Sequence, residues 1–227
     1  MPNHVINRVV VVDGDPETLR PFISTTEEEG TFFDFEKLVP MPKELKIEES
    51  SIGKNGYDIF HGNENAPVLR YPWMQEKICE YRKQYPDEAG RSDQEIAQIL
   101  YRGTEEERIG NIYADNLKKH GAKTWYDWSC AHWGTKWNSY HFSEVDGLKE
   151  FTFDTAWSPP APIYSKIAEM LPEHRIIVGC FDEGSCFACL FVIEDGHVED
   201  MDIDTGDPAF YAACYGMNYS RQPYGMA

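Results

Sequence analysis

Trp125-Tyr-Asp-Trp128-Ser-Cys-Ala-His132-Trp133-Gly-Thr-Lys136-Trp137-Asn138 holds four of the six tryptophans of this chain in one short stretch. Thr124 with Asp127 three positions later resembles a capping box, and Gly134 stands where a left-handed residue ends a helix. The spacing therefore predicts a short helix over Trp125–Trp133, with Trp125, Trp128 and His132 on one side and Tyr126, Cys130 and Trp133 on another. After Gly134 the polar and aromatic residues alternate from Lys136 to His141, as a strand does. Buried indole N–H groups need acceptors, and Thr135, Asn138 or nearby carbonyls could supply them. The favoured reading is a core linchpin. The sharper reading is an aromatic pocket of Trp125, Trp128, His132, Trp133, Lys136, Trp137, Asn138 and Trp157 that holds a planar, anionic, nucleotide-like small molecule.

Working outward, Val5-Ile-Asn-Arg-Val9-Val-Val-Val12 is a β-branched run ending at Asp13-Gly14, which predicts a central strand. Asp15 as N-cap and Pro16 at the first helical position, with Leu19, Phe22 and Ile23 as an apolar stripe, predict a helix running toward Gly30. Phe32 to Pro42 follows as an extended, aromatic-rich connection whose paired prolines keep it extended. From 43 to 120 the composition turns polar, charged and tyrosine-rich, with Gly53, Gly56 and Gly62 breaking the pattern. Helical spacing returns over Trp73–Tyr85, Asp93–Tyr101 and Glu105–His120, the last with Lys118, Lys119 and His120 complementing its C-terminal dipole.

Beyond the tryptophans, a strand from Trp137 to Val145, a turn at Asp146-Gly147 and a strand over Phe151–Thr155 form a hairpin. Ser158 is placed to cap a helix to Leu171 that buries Ile163, Ile167, Met170 and Leu171. Two strands, Arg175–Phe181 and Cys186–Ile193, are joined by Asp182-Glu-Gly184. The order is that of an α+β, ferredoxin-like split βαβ arrangement, an antiparallel sheet with helices on one face, plus a mainly helical insertion. The expected organisation is 1–42 for the first strand and helix, 43–120 for the insertion, 121–195 for the rest of the sheet, and 196–227 for an acidic, partly irregular tail.

At 227 residues and 41% hydrophobic, the chain can bury a substantial core. Its net charge of −18 disfavours direct nucleic-acid binding, because phosphates are repelled. No apolar run is long enough to span a bilayer, and Met1-Pro-Asn-His lacks the plan of a secretion signal, so a cytosolic protein is expected. The six cysteines are too few for a disulfide scaffold and are expected to stay as thiols.

Met1-Pro-Asn-His-Val5 with Asn7-Arg8, Asp34-Phe35 with Pro40-Met-Pro42, the Trp-Gly-Thr-Lys-Trp-Asn motif at 133–138, Phe153 with Thr155-Ala-Trp-Ser-Pro159-Pro160-Pro162, and Asp182-Glu-Gly184 resemble the successive motifs of the YubB-type (Api-like) family of phage and plasmid proteins. The resemblance is collinear over most of the chain and thins in the insertion and the last thirty or so residues. It implies a ferredoxin-like domain and a mobile-element accessory protein, with no catalytic residue to carry over. That family usually has Gly where this chain has Cys189.

Chemical motifs are sparse. Cys186-Phe-Ala-Cys189 has the spacing of a redox or zinc pair, but an offset of three on a strand sends the thiols to opposite faces, so buried structural thiols are the favoured reading. Asp200, Asp202 and Asp204 begin like a calcium loop, yet Gly206 comes one position late and Tyr211 stands where the closing glutamate belongs. No metal or cofactor is expected. Between Arg175 and Arg221 there is no lysine or arginine, while Asp195, Glu199, Asp200, Asp202, Asp204 and Asp207 accumulate. That field fits stoichiometric, non-enzymatic binding of a basic host or phage protein. A nucleotide-like ligand in the tryptophan pocket is the alternative, and an acid–base enzyme using His132 or His141 comes third.

Overall fold

The computed structural model describes residues 3–216. In chain order its elements are β1 (His4–Asp13), a 3-10 turn (Pro16–Phe22), β2 (Ile23–Thr26), β3 (Gly30–Phe33), α1 (Ser51–His61), α2 (Pro72–Gln84), α3 (Asp93–Tyr101), α4 (Glu105–His120), α5 (Trp125–His132), β4 (Tyr140–Asp146), β5 (Glu150–Ala156), α6 (Ala161–Met170), β6 (Arg175–Asp182), β7 (Ala188–Glu194), β8 (His197–Ile203) and α7 (Pro208–Tyr215). They divide into two compact units, one of Met1–Pro40 with Ser129–Ala227 and one of Met41–Trp128.

The first unit is built on a six-stranded antiparallel sheet in the order β4-β5-β1-β6-β7-β8. Strands β4, β5, β1 and β6 reproduce the ferredoxin-like arrangement, α6 crosses between β5 and β6, and β7 and β8 extend one edge. Alternation sorts the side chains: Val5, Asn7, Val9 and Val11 of β1 are buried on one face with Phe151 and Phe153 of β5, Ile176 and Val178 of β6, and Ile163, Tyr164 and Ile167 of α6. Phe33 stacks on Phe153 at 5.5 Å, so the aromatics after the first strand pack onto the sheet. Asn7, fully buried in this face, is satisfied by Val5 O, Phe153 O, Thr155, Tyr164 and Cys180. On the other face α7 lays Tyr211 and Tyr215 against Phe181, which adds a helix opposite α6.

Two segments depart from expectation. The helix expected from Pro16 toward Gly30 is only a 3-10 turn, in which Asp15 caps Glu17 and Pro21 sits inside. Pro21 cannot donate to a carbonyl one turn back, and the β-branched Ile23-Ser-Thr-Thr run then pairs with Gly30–Phe33 as a hairpin. The segment expected as an acidic, partly irregular tail carries β8 and α7 up to Gly216, and its residues 217–227 lie outside the described residues.

The second unit is helical. α2, α3 and α4 stand where spacing places them, but α1 occupies a stretch in which Gly53 and Gly56 read as breaks. Its N-cap is Ser50, whose hydroxyl accepts from Gly53 N at 3.1 Å. The glycines serve packing: a Cβ on Gly53 would strike the Tyr113 ring, and one on Gly56 would strike the Glu106 backbone of α4. Ile59, Val68, Leu69, Met74, Ile78 and Ile96 close a core of their own.

Candidate functional site

The tryptophan-rich segment leads from α5 into β4, and its motif residues act mainly as fasteners. Gly134 takes φ +80° two residues after the end of α5, and a Cβ there would strike Pro162. Trp133 is buried, packs edge-on to Phe35 and donates its indole N–H to Val39 O at 2.9 Å. Neither Thr135 nor Asn138 is that acceptor. Thr135 instead donates to Ala156 O and accepts from Ala156 N. Asn138 accepts from Phe35 N and donates to Asp34, while Ser139 bridges both backbone groups of Phe33. The core reading therefore describes Trp133, while Asn138 is half-buried and ties the segment to Asp34 and Phe35.

Lys136, Trp137 and Trp157 are the residues of the expected pocket that the structure brings together at a surface. The Lys136 ammonium lies 4.5 Å from the centre of the Trp137 ring and 4.8 Å from that of Trp157, within cation–π range of both. Both indoles remain exposed, and Trp157 is held at φ +70°, an uncommon conformation for a side-chain-bearing residue. His132 is exposed at the end of α5. Trp125 and Trp128 belong to the helical unit, Trp125 half-buried and edge-on to Tyr126, Trp128 buried.

The acidic residues converge on β8. Asp195 and Gly196, both with positive φ, form a two-residue turn from β7, and this Asp-Gly pair is the hairpin signal that sequence reading passed over. β8 ends the sheet, so its outer edge pairs with no strand among the described residues. Glu199, Asp200 and Asp202 are exposed along it, Asp200 and Asp202 on the same face, opposite Phe191 and Cys189. Asp204 accepts from Gly206 N, and Asp207 caps α7 by accepting from Ala209 N and Phe210 N. The calcium-like run is thus divided between β8, which carries Asp200 and Asp202, and the turn at Asp204.

Residues 132–224 match the family model described as the ferredoxin-like domain in Api92-like protein. That span contains β4 to β8, α6 and α7, and β1 joins it to complete the sheet. A solved structure, a protein api92 from Yersinia pseudotuberculosis, is similar with a TM-score of 0.39 and 10% identity, covering 89% of this chain and 98% of that one. No curated protein matches the chain. Among the described residues, no helix is long and apolar enough to cross a membrane.

The ferredoxin-like domain also gathers polar groups that sequence reading left scattered. His4 Nδ1 lies 2.8 Å from the Tyr140 hydroxyl, and His141 Nδ1 lies 2.9 Å from Asp154 Oδ2. The two imidazoles are 6.1 Å apart, and His141 sits at φ +53°. Burial raises the Asp154 carboxyl above its ordinary value, with the His141 hydrogen bond pulling the other way. Burial also pushes Tyr140 up to about 12. From sequence the group needs both the pairing of Tyr140 with Asp154 across β4 and β5 and that of His4 with Ala156 across β1 and β5.

All six cysteines are thiols. Cys186 lies before β7 and is exposed, whereas Cys189 is buried and faces Cys180 across β6 and β7, so the pair at 186 and 189 does not converge. No group of three or more His, Cys, Asp or Glu side chains among the described residues is arranged to hold a metal ion.

Proposed function

We propose that this chain is a non-enzymatic, cytoplasmic accessory protein of a mobile element that takes up a basic segment of a host or phage protein along β8. One observation carries the reading: the exposed carboxylates Glu199, Asp200 and Asp202 line an unpaired sheet edge and have no salt-bridge partner among the described residues. A free edge offers backbone donors and acceptors to an added strand, and the carboxylates select a basic one. The same charges keep two copies from pairing edge to edge. Cross-strand pairs of opposite charge contribute about 0.2–1 kcal/mol each, and the field steers the encounter.

The test titrates an extended peptide of alternating lysine and valine against the chain and its Glu199→Gln/Asp200→Asn/Asp202→Asn variant. Binding should weaken with added salt, drop at least tenfold in the variant and slow hydrogen exchange at β8 amides. Equal binding by both proteins, or protection elsewhere, rejects the reading. A second reading, a nucleotide-like small molecule, is supported by the exposed Trp137 and Trp157 rings around Lys136. It requires nucleotides to quench tryptophan fluorescence and Lys136→Ala to abolish the response.

A further inference from the structure

The helical unit carries a groove of about 870 Å³ formed by α1, the turn into α2 and the start of α5. Its wall on α1 is a polar stripe at helical spacing, Ser51, Lys54, Asn55 and Asp58, opposite the glycines that pack on α4. Facing it are Tyr71 and Trp73, 44% and 39% exposed, with ring centres 6.0 Å apart. Thr124, only 2% exposed, also lines the groove.

The charges in this groove are unevenly satisfied. Lys54 is ion-paired with Glu49, and the Lys123 ammonium sits 3.7 Å from the centre of the Tyr57 ring. Lys77 reaches the Trp73 ring only at 5.9 Å and spends its ammonium on the Tyr101 hydroxyl at 2.8 Å. Asp58 and Asp127 line the groove with no ion-pair partner among the described residues. Lys54 also feels the charge of Asp127 from beyond contact distance, so the groove holds three carboxylates against two ammonium groups, and of the three only Glu49 is in a contact ion pair among the described residues. Exposed aromatic faces beside unpaired carboxylates match a planar, weakly hydrated cation better than a compact ammonium, because guanidinium both stacks and forms paired hydrogen bonds to carboxylates. The volume exceeds one guanidinium and falls within the range of ligand pockets that hold larger molecules.

We infer that this groove binds an arginine-bearing peptide segment, the guanidinium lying against Tyr71 and Trp73 and pairing with Asp58 or Asp127. The site is separate from β8 and stands or falls independently of it. The experiment titrates acetyl-Gly-Arg-Gly-amide and its citrulline analogue, which has the same shape without the charge, into the full chain by calorimetry. The arginine peptide should bind at least tenfold more tightly than the citrulline peptide. Trp73→Ala, which leaves the charge unchanged, and Asp58→Asn/Asp127→Asn should each weaken it at least fivefold, with circular dichroism confirming the fold. If Trp73→Ala perturbs the helices, Tyr71→Ala serves in its place. The Glu199→Gln/Asp200→Asn/Asp202→Asn variant should bind this peptide as the parent does. No binding at millimolar peptide, equal binding of the two peptides, indifference to the aromatic variants, loss in the β8 variant, or displacement by a neutral oligosaccharide would each overturn the inference.

Discussion

A Cβ on Gly110 of α4 would run into the backbone carbonyl group of Gly56 in α1, so the two helices touch main chain to main chain. The obstacle is backbone and cannot rotate aside. Gly56→Ala or Gly110→Ala should therefore destabilise the helical unit by about 1–3 kcal/mol, as overpacking does. Gly90→Ala, where nothing lies within 4 Å, should change stability by less than about 0.5 kcal/mol. Urea midpoints decide it, and unchanged midpoints for the first two variants would dismiss the close contact.

The contact also marks where sequence reading loses hold. A glycine in a polar run looks like a breaker because its intrinsic cost is local, while its benefit here comes from a helix that lies more than forty residues further on. The sheet was legible because β1 and β5 bury alternate residues and β6 and β7 are nearly continuous apolar runs. β8 was hidden by its charge: its outward positions are acidic, only Val198 and Ile203 are half-buried, and the Asp195-Gly196 turn was the remaining signal. Among site residues, aromatic content alone could not separate Trp133, which fastens α5 to Val39, from Trp137 and Trp157, which stay at the surface.

Asn7 and Tyr164 should act as a unit. The Tyr164 hydroxyl donates to Asn7 Oδ1 at 2.7 Å inside the sheet's buried face. Tyr164→Phe leaves that oxygen the weaker Cys180 thiol as donor, at about 1–2 kcal/mol. Asn7→Val costs more, because it leaves the Tyr164 hydroxyl only the weak Cys180 thiol at 3.8 Å and removes the donor to Thr155. The double variant should cost less than the sum of the two by about 1 kcal/mol, and strictly additive denaturation energies would show the bond to be unimportant.

Thiol reactivity should rank by environment. Burial pushes Cys214 up to about 12 and raises Cys180 well above the usual thiol range, while the hydrogen bond from Cys180 lowers Cys189 against burial and the nearby Asp202 and Asp200. Cys79, Cys130 and Cys186 are exposed, but a hydrogen bond and the charge of Asp182 raise Cys186. At pH 8 a maleimide should label Cys79 and Cys130 first, Cys186 more slowly, and the buried three only on unfolding. Asp182→Asn should speed Cys186. Peptide mapping by mass spectrometry reads the order, and early labelling of Cys180 or Cys214 contradicts it.

Asp154 should make the ferredoxin-like domain lose stability as the carboxylate forms. Burial is the main reason its carboxyl is raised, outweighing the hydrogen bond from His141, so the native state holds this proton more tightly than the unfolded chain does. A group raised on folding contributes its stability in full below the unfolded value, about 3.9 for aspartate, and loses it as pH rises through the native value. Asp154→Asn cannot ionise and has no such loss. The stability of the parent relative to this variant should therefore be greatest near pH 3.5 and fall as pH rises toward neutrality. Parallel urea-midpoint curves for the two proteins across that interval, or a gap that widens in the parent's favour, would mean that the His141 hydrogen bond, and not burial, governs this carboxyl.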